Sequence, residues 1–292
     1  DNPEAFWAAV TEKTRAIFVE SLANPGGVIV DLEAIAKIAK EAEVPLIVDN
    51  TMATPCLCRP FEWGADLVVH STTKFLSGQG NAMGGIVIDS GRFPWFGNAK
   101  YPSLSEPCPD YNGLTFAETF GDMAFTLYSH AVSLRDLGCT QSPMNAWITL
   151  NGVETLPLRM ERHVENAQKV AGFLQQHPSV EWVSYAGLSS SPYYQLAQKY
   201  LQGKAGSVFT FGIRGGYESG LRLLEKVELF SHVSNIGDSR SLILHPASTT
   251  HRQLSDEQRL IAGAGPDVIR LSVGIESAED LIADLEQALE GL

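Results

Sequence analysis

The sequence is poor in basic residues. Lys plus Arg number 21 against 34 for Asp plus Glu, a net charge of -13. So acidic a chain lacks the cationic excess that neutralises phosphates, which makes nucleic acid and anionic membranes poor partners. Long apolar runs are missing too. None approaches the ~20 residues that cross a bilayer, and no basic-then-apolar leader stands at the start. Cysteine is scarce. Cys56, Cys58, Cys108 and Cys139 are the only four in 292 residues, too few for a disulfide framework, which points to a reducing cytoplasm. The Cys56-x-Cys58 pair has no second pair to complete a zinc site, so no metal is expected. The Gly-rich stretch from Gly78 to Gly85 lacks the G-x-x-x-x-G-K-[ST] pattern of a phosphate loop. There is no internal repeat and no low-complexity tract.

What remains is a globular composition, 44% hydrophobic and 19% charged, with length for one large or two ordinary domains. Asp1-Asn2-Pro3-Glu4 reads as a helix N-cap followed by an early-helix proline, as in a chain entered in mid-fold. The first hundred residues alternate strand and helix signals. Ala16–Glu20, Pro45–Asp49, Ala65–His70 and Gly85–Ile88 are short apolar, β-branched runs. Between the first two, Asp31–Glu43 carries Leu32, Ile35, Ala36, Ile38 and Ala39 at helical spacing behind an Asp31 cap. Continuous apolar strands separated by helices predict an α/β fold with a mostly parallel sheet. In such sheets chemistry gathers at the carboxyl ends of the strands.

Residues 90–142 are rich in Gly, Pro, Ser and aromatics, with weak periodicity. They read as a cover over a site or as an interface element. A long helical pattern runs from Asn145 to Gln176, with breaks offered by Gly152 and Pro157. Strands at Val180–Tyr185, Ser207–Ile213 and Ser241–Leu244 follow, with helices at Gly220–Lys226 and Ala278–Glu290. The boundary is read as a large domain over 1–160 and a smaller α/β domain over 161–292.

The strand ends of the first half share one chemistry. Leu46–Val48 ends in Asp49, Leu67–His70 ends in Ser71-Thr72-Thr73-Lys74, and Ile17–Val19 ends in Glu20-Ser21 with Asn24 close behind. Singly, each is an ordinary turn or loop residue. Together, a lysine, a carboxylate and two hydroxyls suit pyridoxal phosphate. The lysine forms a Schiff base with the aldehyde, the carboxylate keeps the pyridine nitrogen protonated, and the hydroxyls bind phosphate oxygens.

Glu20-Ser21-Leu22-Ala23-Asn24-Pro25, Val48-Asp49-Asn50-Thr51 and Asp66 through Gly78 resemble the signatures of the Cys/Met-metabolism pyridoxal-phosphate enzymes. Arg159–His163, His245–His251 and Val268–Glu276 are similar to that family as well. The resemblance covers essentially the whole chain. Ser231–Asp238, with Asn235 where many lyases resemble Ser-Leu-Gly, and Thr250–Ser255 lean toward the O-acetylhomoserine sulfhydrylase branch.

The resemblance implies a fold type I pyridoxal-phosphate transferase. It implies Lys74 as the catalytic Schiff-base residue, Asp49 at the pyridine nitrogen, Ser71 and Thr73 at the phosphate, and Asn24 at the phenolic oxygen. Arg270 would hold the substrate carboxylate, with Asn235 beside it. The implied reaction joins O-acetyl-L-homoserine and sulfide into L-homocysteine and acetate, in a homo-oligomer. A γ-lyase or γ-synthase would use the same residues, and a catalytically silent fragment is the remote alternative. The family's ring-stacking Tyr, its Gly-rich phosphate turn, and the Tyr and Arg that reach a neighbouring subunit precede the part matched here, so the amino-terminal part of the fold is expected to be absent.

Overall fold

The structure, a computed structural model, describes residues 2–292. Four strands form the first sheet: β1 (Ile17–Glu20), β2 (Leu46–Asp49), β3 (Leu67–Ser71) and β4 (Gly85–Asp89), in that order. β1 and β2 pair in parallel, as do β2 and β3. β4 runs antiparallel to β3, so the sheet is mostly parallel, with one strand reversed at its edge. The physical reason lies in residues 72–84. They hold a wide turn and a loop, not the crossover helix that would carry the chain back to the start of the sheet.

The helix Leu32–Glu41 covers this sheet. The Asp31 carboxylate accepts the Ala34 N–H at 3.2 Å and caps it, as the sequence predicts. Its Leu32, Ile35 and Ala39 are buried with Ile17, Val19, Leu46, Val48 and Val68 of the strands. Each fully buried aliphatic side chain contributes about 1.5–3 kcal/mol relative to exposure.

The second sheet contains β5 (Val180–Ser184), β6 (Val208–Ile213), β7 (Ser231–His232), β8 (Leu242–Leu244) and β9 (Val268–Ser272), ordered β5-β6-β9-β8-β7. β9 pairs antiparallel with both β6 and β8, so the strand carrying Arg270 is central. Helices Gly216–Lys226 and Ala278–Leu289 pack on it.

The helical pattern of residues 145–176 is two helices, Pro143–Glu154 and Leu156–Gln176, broken at Thr155 with Pro157 in the next first turn. The second of these buries Leu156, Met160, His163, Ala167, Val170 and Leu174. Its apolar residues join one core shared with both sheets.

Residues 90–142 fold into short helices around a separate cluster of Phe93, Trp95, Leu104, Phe116, Ala117 and Ala124. Trp95 stacks on Phe125 at 5.5 Å between ring centroids. These aromatics are spent on the segment's own core. Among the described residues no helix is long and apolar enough to cross a membrane.

Candidate active site

The parallel register sets the carboxyl ends of β1, β2 and β3 side by side. Glu20 pairs with Asp49, and Asp49 with Val69 two residues before Ser71. One oxygen of Asp49 accepts the Thr51 N–H at 2.9 Å, and the Thr51 hydroxyl accepts the Ser71 N–H at 2.8 Å. The other carboxylate oxygen of Asp49 has no protein donor among the described residues. Glu20 accepts the Asn24 N–H at 3.2 Å. Burial, opposed by that hydrogen bond and reinforced by the Asp49 charge, raises its carboxyl above the ordinary value.

Lys74 follows β3 in the turn Thr72–Leu76, with the non-helical angles φ -89° and ψ -129°. Its ammonium donates to Asn235 Oδ1 at 2.6 Å. Burial, with the Arg270 charge second, lowers the amine's affinity for its proton. That direction favours the neutral amine, the form that can act as a nucleophile or a base. Arg270, half-buried in β9, donates to the Asn235 backbone oxygen at 3.1 Å and to Asn24 Oδ1 at 3.4 Å. Lys74, Asn235, Arg270 and Asn24 therefore form one chain of contacts between the two sheets.

The hydroxyls differ. Ser71 Oγ has no protein partner among the described residues. Thr73 Oγ1 accepts the Gly84 N–H at 3.1 Å and faces the Gly84 carbonyl at 3.3 Å, so it also ties down the Gly-rich loop. His70, the residue before Ser71, is buried, with Nδ1 unpartnered. Burial lowers its proton affinity, and the Asp49 charge partly restores it.

Arg159 carries a role that local sequence signals do not show. Its guanidinium reaches the Phe75 carbonyl at 2.8 Å, the Leu76 carbonyl at 3.4 Å and the Gly152 carbonyl at 2.7 Å. These are main-chain acceptors, so no side-chain pattern marks them. A cleft of about 1040 Å³ between the helix Leu32–Glu41 and residues 92–100 is lined by Lys37, Trp63, Phe93 and Phe96 and includes none of these groups. Chemistry, not volume, singles out the strand ends.

The sequence profile of the Cys/Met metabolism PLP-dependent enzymes matches residues 1–290. This chain belongs to that family. It is the chain of a pyridoxal-phosphate-dependent enzyme with an α/β, fold type I architecture. It is 50% identical over 300 aligned residues to the O-acetyl-L-homoserine sulfhydrylase of Leptospira meyeri, covering 100% of this chain and 68% of that one. It is 45% identical to the homocysteine synthase of Schizosaccharomyces pombe, over 99% of this chain and 68% of the relative. A Campylobacter jejuni protein assigned as an O-acetylhomoserine (thiol)-lyase, solved with N'-pyridoxyl-lysine-5'-monophosphate, superposes with a TM-score of 0.95 and 43% identity. That match covers 100% of this chain and 69% of the solved one.

The residues present fit the family's cofactor. A half-buried lysine of lowered proton affinity, a carboxylate with one oxygen free of protein donors and an unpartnered hydroxyl meet at neighbouring strand ends.

Proposed function

We propose that this enzyme carries out γ-replacement, converting O-acetyl-L-homoserine and sulfide into L-homocysteine and acetate. The observation that carries the reading is the contact chain Lys74–Asn235–Arg270. It joins an amine able to move protons to a half-buried guanidinium able to take an α-carboxylate in bidentate fashion. The names of relatives 45–50% identical support the choice of substrate and donor.

Bound pyridoxal phosphate supplies the electron sink for charge left at the substrate Cα. Lys74 is its attachment point, and the freed Lys74 amine accepts the Cα proton and serves proton transfer at Cβ. Asp49 uses its free oxygen to hold the pyridine nitrogen protonated. Ser71 and Thr73 bind the phosphate, the former with an uncommitted hydroxyl. Asn24 contacts the phenolic oxygen, held in place through its N–H by Glu20. Arg270 fixes the carboxylate, which aligns Cα with the Lys74 amine.

We also place residues 1–160 and 161–292 as its two domains and a reducing cytoplasm as its setting. A homo-oligomer is proposed as its working state. The helix Pro143–Glu154 leaves Met144, Trp147 and Leu150 exposed along one side, with Leu158 beyond, an apolar face a second copy would cover.

The test is product analysis with the full-length enzyme. O-acetylhomoserine with sulfide should give homocysteine and acetate in equal amounts. O-acetylhomoserine alone should release 2-oxobutyrate and ammonia slowly, and cysteine as donor should give little cystathionine. Lys74→Ala should lose turnover by at least about 10²–10⁴-fold, the range of general acid–base catalysis. Rapid breakdown of methionine or cystathionine with no added nucleophile would replace this reading by a γ-lyase.

A further inference from the structure

We infer that the side-chain carboxamide of Asn235 positions the free amine of Lys74, and that Asn235 thereby links carboxylate capture at Arg270 to proton transfer at Lys74. This rests on the proposed function, in which the Lys74 amine is released during each turnover and must stay oriented.

Three observations carry it. First, Asn235 Oδ1 is the one hydrogen-bond acceptor of the Lys74 ammonium among the described residues, 2.6 Å away and 161 positions along the chain. A lysine amine on a four-carbon stem is free to rotate through many rotamers, and one acceptor at this distance selects among them. Second, the amide plane is confined from the other side. A Cβ built on Gly80 would lie 2.7 Å from Asn235 Nδ2 and 3.3 Å from Asp238 Oδ2. Gly80 has φ +62° and no side chain, so the amide nitrogen fits against it on the side of the Asp238 carboxylate. The amide oxygen is left for the cation. Third, Arg270 meets Asn235 through the backbone carbonyl, at 3.1 Å. One residue therefore serves both cations, with its side chain for Lys74 and its main chain for Arg270. Arg270 is the charged neighbour that bears on the Lys74 amine, and it disfavours the ammonium. The carboxamide oxygen opposes it.

The division between side chain and main chain makes the inference testable. Any residue at position 235 keeps the carbonyl that Arg270 uses, so a side-chain substitution should act on Lys74 and spare substrate binding. The first measurement needs no turnover. Cofactor-stripped full-length enzyme is given pyridoxal phosphate, and its rate of covalent attachment at Lys74 is followed against pH. The midpoint reads the proton affinity of the Lys74 amine. Asn235→Ala should lower that midpoint by about one pH unit, the tenfold effect of one hydrogen bond to a charged group. Asn235→Asp, close in volume, should raise it by at least as much.

The second measurement is steady-state kinetics with O-acetylhomoserine. Asn235→Ala should reduce kcat about tenfold or more and leave KM within about threefold. Asn235→Ser should fall between, because its hydroxyl is shorter. Attachment midpoints identical in wild type, Asn235→Ala and Asn235→Asp would overturn the inference, as would a rise in KM with kcat unchanged. If Asn235→Ala does not fold, the midpoint of Asn235→Asp decides alone. Folded wild-type enzyme that takes no pyridoxal phosphate at Lys74 would remove the proposed function itself, and this inference with it.

Discussion

The guanidinium of Arg159 donates to the carbonyl oxygen of Phe75 at 2.8 Å, from a helix 84 positions further along the chain. Phe75 is the residue after Lys74, so this bond fixes the turn that presents the lysine. The same guanidinium satisfies Leu76 and Gly152. Burial presses on its charge, and no carboxylate pairs with it among the described residues, so main-chain dipoles do the stabilising.

Removing that guanidinium strands several carbonyls at once. Arg159→Met is expected to cost about 2–4 kcal/mol of stability. It should weaken pyridoxal phosphate binding as well, because the turn loses its anchor. Arg159→Lys should recover only part of both, since an ammonium cannot reproduce the planar fork. Urea unfolding and a cofactor titration measure the two effects.

Asp49→Asn keeps the shape of the side chain and its Thr51 contact but removes the charge. An opposite charge within hydrogen-bond reach shifts a partner's pKa by about 1–3 units. The pyridine nitrogen should lose its proton nearer neutral pH, seen as a displaced pH dependence of the bound cofactor's absorbance. Turnover should fall by more than cofactor affinity does. Exchange of the substrate Cα proton at the wild-type rate would contradict the role given to Asp49.

Two helical glycines should respond to alanine with opposite signs. A Cβ on Gly152 would overlap the backbone oxygens of Leu76 and Ser77, which cannot move without disturbing the Lys74 turn. Gly152→Ala should destabilise by about 1–3 kcal/mol, the usual cost of overpacking. Gly172, in the middle of the helix Leu156–Gln176, meets nothing within 4 Å. Gly172→Ala should stabilise by about 0.5–1 kcal/mol through helix propensity. Thermal melts of the two variants against wild type give the comparison.

His163 supplies a pH dependence. It is fully buried, its Nδ1 bonded to the Val273 carbonyl at 2.7 Å, and burial lowers its pKa from 6.5 to about 4. The folded state therefore keeps the ring neutral where the unfolded chain would protonate it. Its contribution is fully present above pH 6.5 and is lost as pH falls from there toward 4, by roughly 3 kcal/mol at the lower end. Denaturation of wild type and His163→Asn between pH 7 and pH 4.5 should show a shallower loss of stability in the variant. Parallel curves would assign the acid sensitivity to other groups.

By itself the sequence determined which residues form the sheet beneath the site and which chemistry stands at its ends. Ile17–Glu20, Leu46–Asp49 and Leu67–Ser71 are legible because short, continuously apolar, β-branched runs bounded by polar residues read as strands, and a polar residue at the end of such a strand has only a few uses. The cap at Asp31 and the break before Leu156 are legible for a similar reason, since Asp and Pro act on the backbone within a few residues. Tertiary structure alone decided the direction of β4, because a run of apolar residues carries no sign of which way it is crossed. It decided that Val268–Ser272 is the central strand of the second sheet, which depends on partners at Val208–Ile213 and Leu242–Leu244 far along the chain. It also decided that Asn235 meets Lys74, that Arg159 holds the turn, and that the aromatics of residues 90–142 pack on one another. Those contacts join residues far apart in the chain through single polar atoms or ring faces, and no local periodicity records a partner so distant.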